Sequence, residues 1–194
     1  MLFRSAFGSD IQPDELMASL SVSQQQVVEI VKALSNKDVY KRQNSSWAGD
    51  HIVEHEDINI GIAVDTKRGL LVPVISNADR KSLEEIMGEL NAMKEKSVRG
   101  NFSMEEMQGG TFTISNLGMY RVNSFGSIVN TPEAGILAVG KMQKTVAVGE
   151  DNDINVVYMM HPTLTVDHRV TDGATGAKFL TALVERLEHP DENF

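Results

Sequence analysis

"INIGIAVDTKRGLLVPVIS", residues 58 to 76, carries two apolar runs on either side of a charged turn. Ile58 to Val64 and Gly69 to Ser76 are rich in Ile, Val and Leu, and "DTKRG" between them is a turn, so the stretch predicts adjacent strands of a hairpin. A helix is predicted over residues 82–98. Ser82 and Glu85 have capping-box spacing, Leu83, Ile86, Met87 and Leu90 make an apolar stripe, and Gly100 supplies a stop. "GGTFTISNLG" (109–118) reads as a strand with glycines at both ends, and "AGILAVGKM" (134–142) as a buried strand. Residues 144–170 read as two strands joined by the polar turn "GEDND". A last helix is predicted from about Gly173 to Glu188, with Ala177, Leu180, Leu183, Val184 and Leu187 on one face. The order of these elements predicts an α+β fold.

Toward the N-terminus, residues 10–35 read as two short helices. The second spaces Val27, Ile30, Val31 and Leu34 at helical intervals behind a Ser23 and Gln26 capping-box pattern. Asp38 to Gln43, "DVYKRQ", spells the in-frame translation of a transposon-end adapter used in sequencing libraries. "LFRS" at Leu2 to Ser5 matches another adapter end. Residues 1–43 are therefore expected to be an artefactual, helical segment, and 44–194 a partial domain truncated at its N-terminus.

The chain has 194 residues, 41% hydrophobic and 23% charged, which suits one globular core. No apolar run approaches a membrane span and no secretory signal is visible, so a cytoplasmic or organellar compartment is expected. The absence of cysteine excludes disulfides, thiolate metal sites and a cysteine nucleophile. A net charge of −9 argues against binding nucleic-acid phosphates, while a local cation or helix N-terminus still allows an anionic small molecule.

Three residues stand out as candidates for chemistry. In "TVDHRVTDGA" (165–174), His168 lies where a strand gives way to the last helix, and a neutral imidazole there suits a general base. The spacing fits equally well a hydrogen-bonded strand-end histidine, with Asp172 simply capping the helix. Ser115, in "TISN", is a hydroxyl near glycines that can donate to an oxyanion, although strand-end serines are common. His51 and His55 in "HIVEHE" lack helix signals and do not match H-E-x-x-H, so no metal site is expected. His161 and His189 precede prolines and mark element boundaries.

"NSSW", "INIGIAVDTKRGLLVPVISNADRKSLEEI", "GGTFTISNLGMY", "ILAVGKM" and "LTVDHRVTDGATGAKFL" occur in that order between Asn44 and about Pro190. Together they resemble the catalytic domain of the dihydrolipoamide acyltransferases, the E2 components of 2-oxoacid dehydrogenase complexes, most nearly those of the pyruvate dehydrogenase complex. The resemblance implies a two-layer α/β sandwich of the chloramphenicol acetyltransferase type, incomplete at its N-terminus. It implies acyl transfer, acetyl by preference, between a lipoyl group carried on another domain and coenzyme A. His168 would be the base that takes the thiol proton, Ser115 the oxyanion donor and Asp172 an organiser of the site. It also implies trimers in which His168 and Ser115 of different subunits meet, building a larger core that works with a lipoyl domain and, indirectly, E1 and E3, in a bacterial cytoplasm or mitochondrial matrix. Two departures stand out: Arg121 occupies a position where glycine is usual, and "NTPEAG" stands where "NPPQ" is usual. Two other readings fit the same residues: an inactive structural or subunit-binding core, and an enzyme of the chloramphenicol acetyltransferase kind with a small free acceptor.

Overall fold

The structure, a computed structural model, describes residues 21–34, 43–149 and 152–189. The first of the two helices expected before residue 35, the "LFRS" stretch and all of "DVYKRQ" except Gln43 lie outside them.

The central sheet forms because short β-rich runs can share one apolar face. Its strands are β3 (Ile60–Thr66), β4 (Gly69–Leu71), β5 (Val74–Ile75), β6 (Phe112–Asn116), β7 (Gly135–Val139) and β10 (Pro162–Val166). The order is β10-β7-β6-β3-β4, with β5 also on β3. β3, β6 and β7 run parallel, while β4, β5 and β10 are antiparallel to their neighbours. The registers align Ile62, Ile114, Leu137 and Leu164 in one row across four strands. Side chains alternate along a strand, so Ala63, Ser115, Ala138 and Thr163 form the adjacent row on the opposite face.

The apolar row packs against α1 (Val22–Leu34), α2 (Leu83–Arg99) and α3 (Gly173–Glu188). Val28, Ile30 and Val31 of α1, Ile86 of α2 and Leu183 of α3 are buried with the sheet residues in one core, where the rings of Phe112 and Phe179 lie 5.8 Å apart. This is the two-layer arrangement expected. α1 contacts α2, α3 and β6, so its apolar face shares one core with the residues after Asn44.

Local signals place the helix ends. Ser82 and Glu85 make the reciprocal capping box, and Gly100 closes α2 with φ 65°, a left-handed conformation that glycine adopts without a Cβ penalty. At α1 the capping pair is Ser21 and Gln24 rather than Ser23 and Gln26. Gln24 Oε1 accepts from the Ser21 backbone and Ser21 Oγ accepts from the Gln24 backbone, while Ser23 is buried. Residues 144–170 form three strands rather than two. Pro162, which lacks an N–H, begins β10 as a separate strand of the central sheet after β9 (Ile154–Met159) has ended.

The remaining strands make two ribbons. β1 (Ser45–Trp47) pairs with β2 (Ile52–Glu54), and β8 (Gln143–Val148) pairs with β9 (Ile154–Met159). The second ribbon exposes Val146, Val148, Ile154, Val156 and Tyr158 on one face, with Lys144 over the Tyr158 ring.

Candidate active site

Ser115 lies near the C-terminal end of β6, half-buried, and lines a cavity of about 370 Å³. Residues from five elements and the turn after β6 enclose that cavity, among them Val27 of α1, Ile62 and Asp65 of β3, Leu70 of β4, Met93 of α2, and Tyr120 after β6. The turn beyond Ser115 is shaped by Asn116. Its Nδ2 donates to the Ser23 carbonyl at 2.9 Å, and its Oδ1 accepts from the Gly118 backbone at 2.7 Å. A Cβ on Gly118 would meet that Oδ1 at 2.9 Å, so the tight return depends on glycine. Arg121, where glycine is usual in the resembling sequences, is exposed. Among the described residues only Asn77 and Asn152 combine a side chain with positive φ, so Arg121 imposes no left-handed strain.

His168 sits in the exposed turn between β10 and α3. The Asp167 backbone N–H donates to the Ala134 carbonyl at 2.8 Å, while Val170 and Thr171 donate back to the Asp167 carbonyl. Arg169 clamps the Asp167 carboxylate, with Nη2 to Oδ2 at 2.6 Å and Nε to Oδ1 at 3.0 Å, and holds it below the ordinary carboxylate range. Arg169 also lies over the ring of Trp47, 5.7 Å from its centroid. Asp172 caps α3: its Oδ1 accepts from the Thr175 backbone at 2.7 Å. The capping role weighed from the sequence is thus present, and it leaves His168 exposed for another task.

Within one chain, His168 and Ser115 do not meet. Ser115 is in register with Ala138 and Thr163, whereas β10 continues three residues further to Val166 before the His168 turn begins. At about 3.3 Å per residue and 4.8 Å per strand, Val166 and Ser115 are roughly 14 Å apart, beyond the joint reach of the two side chains.

The other histidines lie elsewhere. His51 Nδ1 pairs with Asp50 and His55 Nε2 with Ser46 Oγ at 3.0 Å. His161 falls between β9 and β10, and His189 caps the C-terminus of α3, both at the boundaries expected. The sequence reading assigned no role to Trp47 or Glu133. Glu133 is buried at the entry to β7, accepting from Thr113 Oγ1 at 2.6 Å and from Asn130 Nδ2 at 2.9 Å. No spacing pattern marks either residue, because Trp47 meets Arg169, and Glu133 meets Thr113, far along the chain.

Comparison with known proteins agrees with this architecture. The model for the acyltransferase catalytic domain of 2-oxoacid dehydrogenases matches residues 3–194. The dihydrolipoyllysine-residue acetyltransferase component of the Rickettsia bellii (strain RML369-C) pyruvate dehydrogenase complex is 38% identical over 177 residues, 91% of this chain and 41% of its own length. The chain therefore spans about two fifths of that relative. An Azotobacter vinelandii dihydrolipoamide acetyltransferase, studied for the roles of a serine, a histidine and an asparagine in its catalytic mechanism, superposes with a TM-score of 0.83 at 34% identity, covering 93% of this chain and 75% of that one. The cubic core of a pyruvate dehydrogenase multienzyme complex gives 0.82 at 33% identity, covering 93% and 77%. A chloramphenicol acetyltransferase, 12% identical with a TM-score of 0.55 over 90% and 81%, shares the fold alone. With residues 3–194 matched by the family model and a relative 38% identical over 91% of the chain, the chain belongs to the 2-oxoacid dehydrogenase acyltransferase catalytic-domain family.

Proposed function

We propose that the chain moves an acyl group, acetyl by preference, between a lipoyl thiol and coenzyme A, at sites shared between copies of the chain. The observation that carries this reading is the separation of His168 from Ser115 at opposite ends of the β-strands. A base and an oxyanion donor so placed complete a site only when another copy supplies the missing half. In the Azotobacter vinelandii relative, the histidine and asparagine under study stand four residues apart, as His168 and Asp172 do.

The neutral imidazole of His168 removes the proton from the attacking thiol. The thiolate adds to the thioester carbonyl, and the resulting oxyanion accepts a hydrogen bond from Ser115 of another copy. Collapse breaks the original C–S bond, and the departing thiolate recovers the proton from the imidazolium. No acyl-enzyme forms, which suits a chain without cysteine. Asp172 holds the helix start behind His168.

Self-association is supported by the exposed apolar face of the β8–β9 ribbon, too large a patch to leave in water at no cost. Coenzyme A and a lipoyl group on another domain are the substrates, with E1 and E3 acting through that domain, in a bacterial cytoplasm or a mitochondrial matrix. Among the described residues no helix is long and apolar enough to cross a membrane. Acetyl transfer from acetyl-CoA to dihydrolipoamide tests the reading, with His168→Ala as control. Equal turnover by the two proteins would overturn the mechanism, and turnover by neither would favour a purely structural core.

A further inference from the structure

The turn that presents His168 is braced from outside its own strand. Asn44, Ser45 and Ser46 are buried, with Asn44 Nδ2 donating to the carbonyls of His55 at 2.7 Å and Asp57 at 3.0 Å. Ser46 bridges to Glu133 beside the entry of β7, so the β1–β2 ribbon is fixed against the residue before Ala134. Ala134 is the carbonyl that receives the Asp167 backbone N–H. The next residue on β1, Trp47, places its ring under the Arg169 guanidinium. Arg169 in turn grips both oxygens of Asp167. His168 is thus the single residue between two that are tied down, one to β7 and the other to Trp47.

The Arg169 side chain is 57% exposed, and an ion pair that open to solvent holds its geometry weakly by itself. An aromatic face beneath the guanidinium adds cation–π attraction and removes rotamers without competing for the N–H donors that bind Asp167.

We propose that Trp47 is a positioning residue for His168, acting through the Arg169–Asp167 pair. The inference rests on the acyl-transfer reading for its catalytic consequence, but not for its structural one. Trp47→Leu in the full chain lowers kcat for acetyl transfer about tenfold, with KM for both substrates within twofold, because the base is displaced while the thiols still bind. Trp47→Phe, which keeps an aromatic face, restores kcat to within about threefold of the parent. Arg169→Met costs about as much as Trp47→Leu, and the double variant costs no more than either. Independently of turnover, amide hydrogen exchange at His168 to Val170 speeds up in Trp47→Leu and not in Trp47→Phe. Trp47 is the only tryptophan in the chain, so its emission shifts in Arg169→Met. Unchanged exchange in Trp47→Leu, equal losses in Trp47→Leu and Trp47→Phe, or additive losses in the double variant overturn the proposal. A parent protein without turnover whose exchange and emission respond as stated sinks the acyl-transfer reading and leaves the brace standing.

Discussion

Thr113 donates its hydroxyl to the Glu133 carboxylate at 2.6 Å in the interior, on the same face of β6 as Ser115. Gly110 permits this, since a Cβ there would come within 2.9 Å of Glu133 Oε1. Burial pushes the Glu133 carboxyl above its ordinary value, against the pull of the hydrogen bonds from Thr113 and Asn130. A carboxyl raised on folding contributes stability that is complete below its unfolded value of 4.5, and loses it as pH rises through the folded value. Glu133→Gln removes that dependence. Relative to the parent, its melting temperature should gain more at pH 8 than at pH 5, as thermal unfolding at the two pH values will show.

Glu29 on α1 obeys the same sign with a wider window. Burial pushes it up to about 8 from 4.5, so the native state favours its neutral form across that interval. Glu29→Gln is expected to stabilise the chain at pH 8 by roughly 1–3 kcal/mol and to flatten the decline between pH 5 and pH 8, measured by urea unfolding.

Shared sites make a genetic-style prediction. Ser115→Ala and His168→Ala, each prepared alone, should lose about 10²- to 10⁴-fold in kcat. Unfolded together and refolded as mixed assemblies, they should recover activity that neither has alone, because some sites then pair an intact His168 with an intact Ser115. Recovery absent from confirmed mixed assemblies would place both groups in one chain after all.

The β8–β9 ribbon should govern association. Val146 and Val156 face each other across its ladder and are 65% and 70% exposed. Val146→Asp with Val156→Asp introduces paired carboxylates on an apolar face. Sedimentation velocity should then show a shift toward monomer, and the acetyl-transfer assay a parallel loss.

Asp172 separates capping from charge. Asparagine also caps helices, so Asp172→Asn should keep the melting temperature within about 2 °C of the parent. Asp172→Ala should cost roughly 1 kcal/mol through loss of the acceptor for the Thr175 N–H.

The parts of this molecule legible in the sequence are those whose cause is local. Ser82, Glu85 and Gly100 fix both ends of α2 within a few residues of chain, and the stripe through Leu180, Leu183 and Leu187 marks the core face of α3. The boundary at Pro162 is less legible, because the apolar pattern runs through "VVYMMHPTLTV" and pairing with β7 is what distinguishes β10 from β9. Ser23 has the spacing of a cap, but Ser21 takes the role because Ser23 is drawn into the interior. The candidate site divides in the same way. Asp172 as a cap is written in its own neighbourhood, whereas Trp47 meets Arg169 from over a hundred residues away and leaves no periodic trace.

The position of α1 bears on how this chain is born. Gln26 reaches Met160, 134 residues later, and the Ser23 carbonyl waits for Asn116. During synthesis at about 5–20 residues per second, Met160 is made roughly 7–27 s after Gln26, and α3, which α1 also contacts, follows later still. Until α2, the central sheet and α3 have all been made, Val28, Ile30 and Val31 lack part of the native surface that covers them. A nascent-chain chaperone that binds short apolar helices has its natural client in Val22–Leu34.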